Sequence, residues 1–139
     1  MHLESKIIEY RIHIIMADIF EIIITDKFEI IFSSQNKPNI IYALVESEKN
    51  ALYKSVDGGF KWEKINDNDD IGNRPFYYSE LYVDPQNENR VYSVFTYINV
   101  SEDGGKKFTQ LMPSYGVDNG VHPDHHAFWI HPTNGNFMI

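Results

Sequence analysis

A cluster of histidines and one aspartate is the group of residues best suited to binding a ligand or a metal ion. His122, Asp124, His125 and His126 lie within five positions of one another. Imidazole and carboxylate groups are ligands that Zn²⁺ and other divalent metals accept. The spacing matches none of the helical zinc signatures, and Pro123 imposes a turn that separates the side chains. We predict no metal and no cofactor. Asp124 and His125 are expected either to face a ligand or to hydrogen-bond the loop backbone.

Acidic residues before and within the same stretch raise the question of hydrolytic chemistry. A glycoside hydrolase needs two carboxylates, about 5–5.5 Å apart for retention or about 6.5–9.5 Å for inversion. Glu80, Asp118 and Asp124 are the candidates. Chemistry on an acidic sugar would also need an arginine cluster, but residues 28–139 contain two isolated arginines, Arg74 and Arg90. Catalytic residues therefore stay unassigned, and whether the chain belongs to an enzyme stays open.

Aromatic and basic residues ahead of Glu80 form a second candidate group. Aromatic rings offer flat apolar faces for stacking against sugar rings, and an arginine pairs with an acidic group. We predict that both groups contribute to one ligand-binding face, made of Arg74, Tyr77, Tyr78, His122, Asp124, His125 and His126.

An octapeptide that occurs twice organises the elements that must position these residues. Residues 55–62 read Ser-Val-Asp-Gly-Gly-Phe-Lys-Trp, and residues 101–108 read Ser-Glu-Asp-Gly-Gly-Lys-Lys-Phe, 46 positions later. Two glycines supply the positive φ angles of a tight reversal, while Asp and Ser side chains hydrogen-bond the turn's own backbone. We predict a structural hairpin, not a ligand site, for Ser55, Asp57, Gly58, Gly59, Trp62, Ser101, Asp103, Gly104, Gly105 and Phe108.

The pattern Ser-x-Asp-x-Gly-x-x-aromatic resembles the Asp-box of BNR-repeat β-propellers. That group includes sialidases, xyloglucanase-type glycoside hydrolases and the sortilin-type receptor domain. The resemblance covers residues 31–139 and includes Asp84-Pro85 and Trp129-Ile130. It implies that the box lies at the outer edge of a blade, remote from the central ligand site, and that the ligand is a carbohydrate or a peptide.

The hydrophobic pattern places four short strands around each box. We predict strands at 28–33, 40–45, 51–55 and 61–65, and again at 78–84, 91–95, 97–101 and 107–111. A third cycle begins at 125–132, 47 positions after 78–85. A period of about 40–50 residues is typical of propellers. We therefore predict an all-β fold, a partial β-propeller of two to three four-stranded antiparallel blades.

Composition and charge exclude several classes of partner. The formal net charge is −8 without a Lys/Arg cluster, so nucleic-acid binding is disfavoured. Residues 1–27 are rich in isoleucine but carry regularly placed charges, so neither a membrane span nor a signal peptide is expected. We treat residues 1–27 as a segment of uncertain origin and residues 28–139 as the repeat region.

The expected function follows from the repeats and the resemblance together. A propeller ring closes with about four to eight blades, so this chain is expected to be a fragment whose partners are the remaining blades. Its expected role is a structural or ligand-binding segment of a sortilin-like or glycosyl-hydrolase-like protein. The alternative is a fragment of a glycoside hydrolase acting on polysaccharide with two carboxylates in the channel. The resemblance suggests a secreted or periplasmic parent.

Overall fold

The computed structural model describes residues 27–32, 37–46, 50–72, 79–112, 118, 120–123, 125 and 127–139. Most of the isoleucine-rich segment, residues 1–26, lies outside this part of the chain. The described residues form antiparallel β-sheets without an α-helix, which confirms the predicted all-β class. None of these sheets closes on itself. Within the same residues, no helix has the length and hydrophobicity that crossing a membrane requires.

Two four-stranded sheets and a hairpin follow one another along the chain. Each four-stranded sheet is a meander, in which every strand pairs with the next one in sequence. The first sheet consists of β1 (Lys27–Phe32), β2 (Ile41–Glu46), β3 (Ala51–Ser55) and β4 (Glu63–Asn66). The second sheet consists of β5 (Glu80–Asp84), β6 (Asn87–Val94), β7 (Ile98–Ser101) and β8 (Thr109–Gln110). The hairpin consists of β9 (Ile130–His131) and β10 (Asn134–Met138).

The strand boundaries differ from the predicted boundaries where turns contain more residues than expected. The fourth strands begin at Glu63 and Thr109, because the residues before them belong to the turns. Among the described residues of 125–132, where the third cycle was predicted to begin, a strand forms at Ile130–His131. In the polar segment predicted as loop, Asp69–Ile71 form a short 3-10 helix.

Alternate residues of each strand point to opposite sides of its sheet, which gives every sheet a front face and a back face. Here the front face is the side directed toward the next unit in sequence, and the back face is directed toward the preceding one. The front of the first sheet packs on the back of the second. This core contains Tyr42, Leu44 and Leu52 from the first sheet, and Leu81, Val83, Val91 and Phe108 from the second.

The same packing recurs one unit later. Tyr92, Val94 and Ile98 on the front of the second sheet pack against Phe128, Ile130 and Met138 of the hairpin. The ring of Phe128 lies with its centroid 5.3 Å from that of Tyr82 and 5.0 Å from that of Tyr92. Pairing confirms the equivalence of the positions, since Ile130 pairs with Met138 as Val83 pairs with Val91. The three units therefore stack in one direction with a repeated interface.

Truncation of a leucine in the first interface should be far more costly than truncation of an exposed one. Leu52 is completely buried in the core, whereas Leu111 is 40% exposed. We expect Leu52→Ala to lower the free energy of unfolding by about 2–5 kcal/mol, the usual cost of a cavity in a packed core. Urea denaturation of both variants measures the difference. Equal losses for Leu52→Ala and Leu111→Ala would contradict the proposed importance of this interface.

Candidate functional site

The two octapeptides form turns with the same hydrogen bonds. In the first, Ser55 Oγ donates to Asp57 Oδ1 at 2.9 Å and accepts from the backbone N–H of Gly59 at 2.9 Å. Asp57 Oδ1 also accepts from the backbone N–H groups of Phe60 and Lys61, at 3.0 and 2.9 Å. The side chains of one serine and one aspartate thus accept hydrogen bonds from the backbone of their own turn and stabilise the tight reversal. We call residues 55–62 and 101–108 the box turns.

The second box turn repeats each of these bonds. Ser101 Oγ donates to Asp103 Oδ1 at 2.8 Å and accepts from Gly105 N–H at 2.8 Å. Asp103 Oδ1 accepts from the backbone N–H groups of Lys106 and Lys107, both at 3.0 Å. Gly58 and Gly104 have the same φ of 77°. The shared Ser-x-Asp-Gly-Gly pattern therefore gives the same turn geometry 46 residues apart.

Each box turn is also tied to the hairpin that joins the first two strands of its sheet. The backbone N–H of Gly58 donates to the carbonyl of Asn39 at 2.9 Å, and that of Gly104 donates to the carbonyl of Asn89 at 2.8 Å. No local pattern in the sequence indicates these two asparagines as partners. Their role depends on pairing between strands, which brings positions far apart in the chain together.

The aromatic residues of the two box turns have different environments. Phe108 is buried in the core between the two sheets. Trp62 is half-buried, and its indole N–H donates to the carbonyl of Gly59 at 2.9 Å, so it closes its own turn. The second turn further contacts the first sheet through Asn66 Nδ2, which donates to the carbonyl of Gly105 at 3.2 Å.

The hydrogen bonds keep the box carboxylates ionised at low pH. The backbone N–H of Lys61 is the main cause that lowers the pKa of Asp57. Burial opposes ionisation of Asp103, but hydrogen bonds from Lys107 N–H, Ser101 and Lys106 N–H outweigh it and lower the pKa of that carboxyl as well. The aspartates are therefore occupied by their turns and unsuited to acid–base catalysis.

The box turns lie at the opposite end of the sheets from His125, one of the predicted ligand residues. The box turns share one end with the β1–β2 and β5–β6 hairpins, which we call the turn end. The other end, which we call the connection end, contains Asn50 before β3, Gly72 and Ser79 before β5, the β6–β7 connection and His125 before β9. Two contacts show this: Asn50 Nδ2 donates to the carbonyl of Gly72 at 2.8 Å, and the backbone N–H of His125 donates to the carbonyl of Phe95 at 3.2 Å.

Two of the seven predicted ligand residues are described, and both lie in the segment that enters β9. His122 is exposed, and its Nδ1 lies 2.6 Å from the carbonyl oxygen of Pro123. His125 is half-buried and bonded through its backbone to Phe95. Outside the described residues lie the other five, which are Arg74, Tyr77, Tyr78, Asp124 and His126. No group of three or more His, Asp or Glu side chains in the described part of the chain could hold a metal ion.

The carboxylates considered for hydrolysis have different surroundings. Glu80 is half-buried at the start of β5 and accepts a short hydrogen bond from the Tyr82 hydroxyl at 2.5 Å. Asp118 is exposed. Arg90 lies at the turn end, where its guanidinium pairs with Glu102 at 2.9 Å and with the buried carboxylate of Asp84 at 3.2 Å. Arg90 is therefore a structural residue on the far side from the predicted ligand face.

One exposed aromatic at the connection end was not selected from the sequence. Tyr97 lies in the β6–β7 connection, 36% exposed, with its ring edge-on to that of Phe95 at 6.0 Å. The sequence had assigned it to the start of a strand. Its position beside the segment that contains His125 makes it a further candidate for stacking against a sugar ring.

No protein family model, no curated protein and no solved structure matches this chain.

Substitution of alanine for Gly58 and for Gly104 distinguishes backbone strain in the turn from steric contact with neighbouring residues. Both Gly58 and Gly104 have φ 77°, where a Cβ costs about 1–2 kcal/mol. A Cβ on Gly104 would approach Lys54 Nζ to 2.8 Å and the Tyr42 hydroxyl to 3.3 Å, whereas one on Gly58 would come no closer than 4.0 Å to Asn39 Oδ1. We expect Gly104→Ala to lower the melting temperature further than Gly58→Ala in differential scanning calorimetry.

Acid stability should depend on the box aspartates. Their pKa values are lower in the folded protein than in the unfolded chain, where aspartate titrates near about 3.9. Their contribution is therefore complete above that pH and is lost as the pH falls through the folded pKa values. We expect the Asp57→Asn/Asp103→Asn variant to be less stable than the parent at pH 7 and to lose less of its stability on acidification. Urea titrations at several pH values would contradict this if the two proteins kept parallel pH profiles.

Proposed function

We propose that the sheets and the hairpin are successive blades of an Asp-box β-propeller, and that the chain is a non-catalytic, ligand-binding segment of such a protein. The observation that carries this proposal is the repeated unit-on-unit packing, in which equivalent residues form both interfaces. Four-stranded antiparallel units stacked in one direction are the building plan of a propeller.

The paired box turns support the same architecture. Their shared hydrogen bonds and their links to the carbonyls of Asn39 and Asn89 fix the same corner of both sheets. The Tyr42 hydroxyl extends this corner across the interface by donating to the carbonyl of Glu88 at 2.8 Å. Burial, and then the nearby Glu88 and Asp103 carboxylates, raises the pKa of Tyr42, so this donor stays protonated. Box turns that bind sheets to one another agree with the structural role that the resemblance implies.

The ligand face of the proposed propeller is the connection end. The box turns occupy the opposite end with their own bonds, so we place the ligand at the connection end. We infer a carbohydrate ligand, because His125 and Tyr97 there, and His122 in the same segment as His125, supply hydrogen-bonding and stacking groups of the kind that sugars use. Arg74, Tyr77, Tyr78, Asp124 and His126 are proposed to belong to the same face.

A non-catalytic role is preferred to the glycoside hydrolase alternative. Of the carboxylates considered from the sequence, Glu80 is engaged by Tyr82 and Asp118 is exposed to water. The alternative therefore depends on Asp124, which stays a candidate from the sequence alone.

The proposed role is tested by NMR titration with a xyloglucan oligosaccharide. We expect saturable shift changes at the amides of His122, His125 and Tyr97, and none at the box turns. Tyr97→Ala should weaken binding by about twofold to tenfold, since stacking on an aromatic ring is worth about 0.5–1.5 kcal/mol. Phe60→Ala, an exposed aromatic at the turn end, is the matched control and should leave the affinity unchanged.

Two results would contradict this proposal. The absence of saturable binding at millimolar sugar would remove the ligand-binding role. Release of reducing sugar, abolished by Asp124→Asn, would replace the binding role by the glycoside hydrolase alternative.

A further inference from the structure

The β9–β10 hairpin exposes an apolar face at positions that are covered in the two four-stranded sheets, where Tyr42 and Tyr92 are buried. Trp129, Phe137 and Ile139 are 46%, 50% and 77% exposed. The rings of Trp129 and Phe137 meet edge to face with centroids 6.1 Å apart, and Trp129 meets His131 in the same way at 5.6 Å. This front face is a continuous patch of rings and one aliphatic side chain.

The position of this patch in the repeat follows from the strand register. Ile130 pairs with Met138 as Val83 pairs with Val91, so Trp129 is equivalent to Tyr82. Reciprocal backbone bonds of 2.8 and 2.9 Å join Trp129 to Ile139. Ile139 is therefore equivalent to Tyr92, the residue that follows Val91. The exposed patch is the front face of a third unit.

The repeat also shows what kind of surface covers such a face. Tyr82 and Tyr92 on the front of the second sheet are covered by Phe128, and the core there continues through Ile130 and Met138. The first sheet is covered in the same way by Leu81, Val83 and Val91. In each case the covering surface is the apolar back face of a four-stranded unit or hairpin.

We propose that the patch formed by Trp129, His131, Phe137 and Ile139 is the docking surface for the apolar back face of a further repeat unit of the same kind. This inference rests on the propeller architecture proposed above and names the partner that the third unit takes. The partner's required chemistry is large apolar side chains at three positions, equivalent to Phe128, Ile130 and Met138.

A second copy of this chain does not present a matching surface. The back face nearest to the start of the array belongs to the first sheet. Ile41 and Ala43 on that face are 1% and 0% exposed. Burial of both docking faces is needed for a stable interface, and these two side chains offer no exposed apolar surface to a second copy.

A register-matched fusion tests the proposal. Residues 93–139 are appended directly after Ile139, so that the added Ser93 follows Ile139 as it follows Tyr92 in the parent. The chain contains no cysteine, so Phe137→Cys in the first copy introduces a single thiol within the patch. We expect this thiol to react with a maleimide at least about tenfold more slowly in the fusion than in the unfused variant, because labelling then requires local opening.

The matched control is a fusion that begins at Val94. Omission of one residue turns every following side chain to the opposite face of the strand, so the thiol should stay as reactive as in the unfused chain. Ile130→Glu in the appended copy alone should also restore reactivity without altering the original residues. Unchanged labelling in the register-matched fusion, or equal protection in both fusions, would overturn the proposal.

Two further results separate this inference from its alternatives. Concentration-dependent dimers of the unfused chain in sedimentation velocity, lost in Trp129→Glu, would assign the patch to a second copy and overturn the proposal. Protection of the thiol without any sugar binding would contradict the ligand-binding role and leave the docking surface established.

Discussion

Packing of a front face on a back face is the interaction on which the rest of the structure depends. The second strands of both sheets are buried along their apolar stretches, 41–45 in β2 and 91–94 in β6, with Tyr42 and Tyr92 at the centre of the two interfaces. A strand that is apolar on both sides cannot be satisfied by a single layer. Each sheet must therefore be covered by its neighbour, and a stacked series of units is the arrangement that meets this requirement for all of them.

The second box turn forms through local hydrogen bonds and also packs against the first sheet. Ser101 and Asp103 fold their own backbone, and the turn that results is presented to the first sheet. A Cβ on Gly105 would come within 2.8 Å of both Leu52 and Ile65, which shows how closely the turn lies against that sheet. The glycine is thus required twice, by its φ of 90° and by this contact. Folding of the second box turn and docking of the two sheets are consequently linked.

Local patterns in the sequence were sufficient for the fold class and for the positions of most strands. The octapeptide predicted a reversal because its hydrogen bonds join residues no more than four positions apart. The bond from Asn66 to Gly105 spans 39 residues, and no local pattern indicates it. The third cycle was predicted to begin at 125–132, but the backbone N–H of His125 bonds to Phe95 in the β6–β7 connection, and the described strand is Ile130–His131.

The candidate site was harder to predict from the sequence than the fold was. Residue types suggested His122 and His125 as ligand residues, and the structure places both in the segment that enters β9, with His125 at the connection end. Tyr97 was missed because the hydrophobic pattern does not distinguish the last residue of a tight connection from the first residue of a strand. Arg74, Tyr77, Tyr78, Asp124 and His126 stay predictions, because they lie outside the described residues.

The tips of the two box turns have opposite chemistry on the same backbone. Val56 and Phe60 are exposed on the first turn, and Glu102 and Lys106 occupy the same positions on the second. The serine, the aspartate and the glycines determine the shape, so the intervening residues can change without altering it. The turn end therefore carries two turns with the same backbone shape and different exposed side chains. Hydrophobic or charged groups can be presented there at a fixed spacing without a change in the fold.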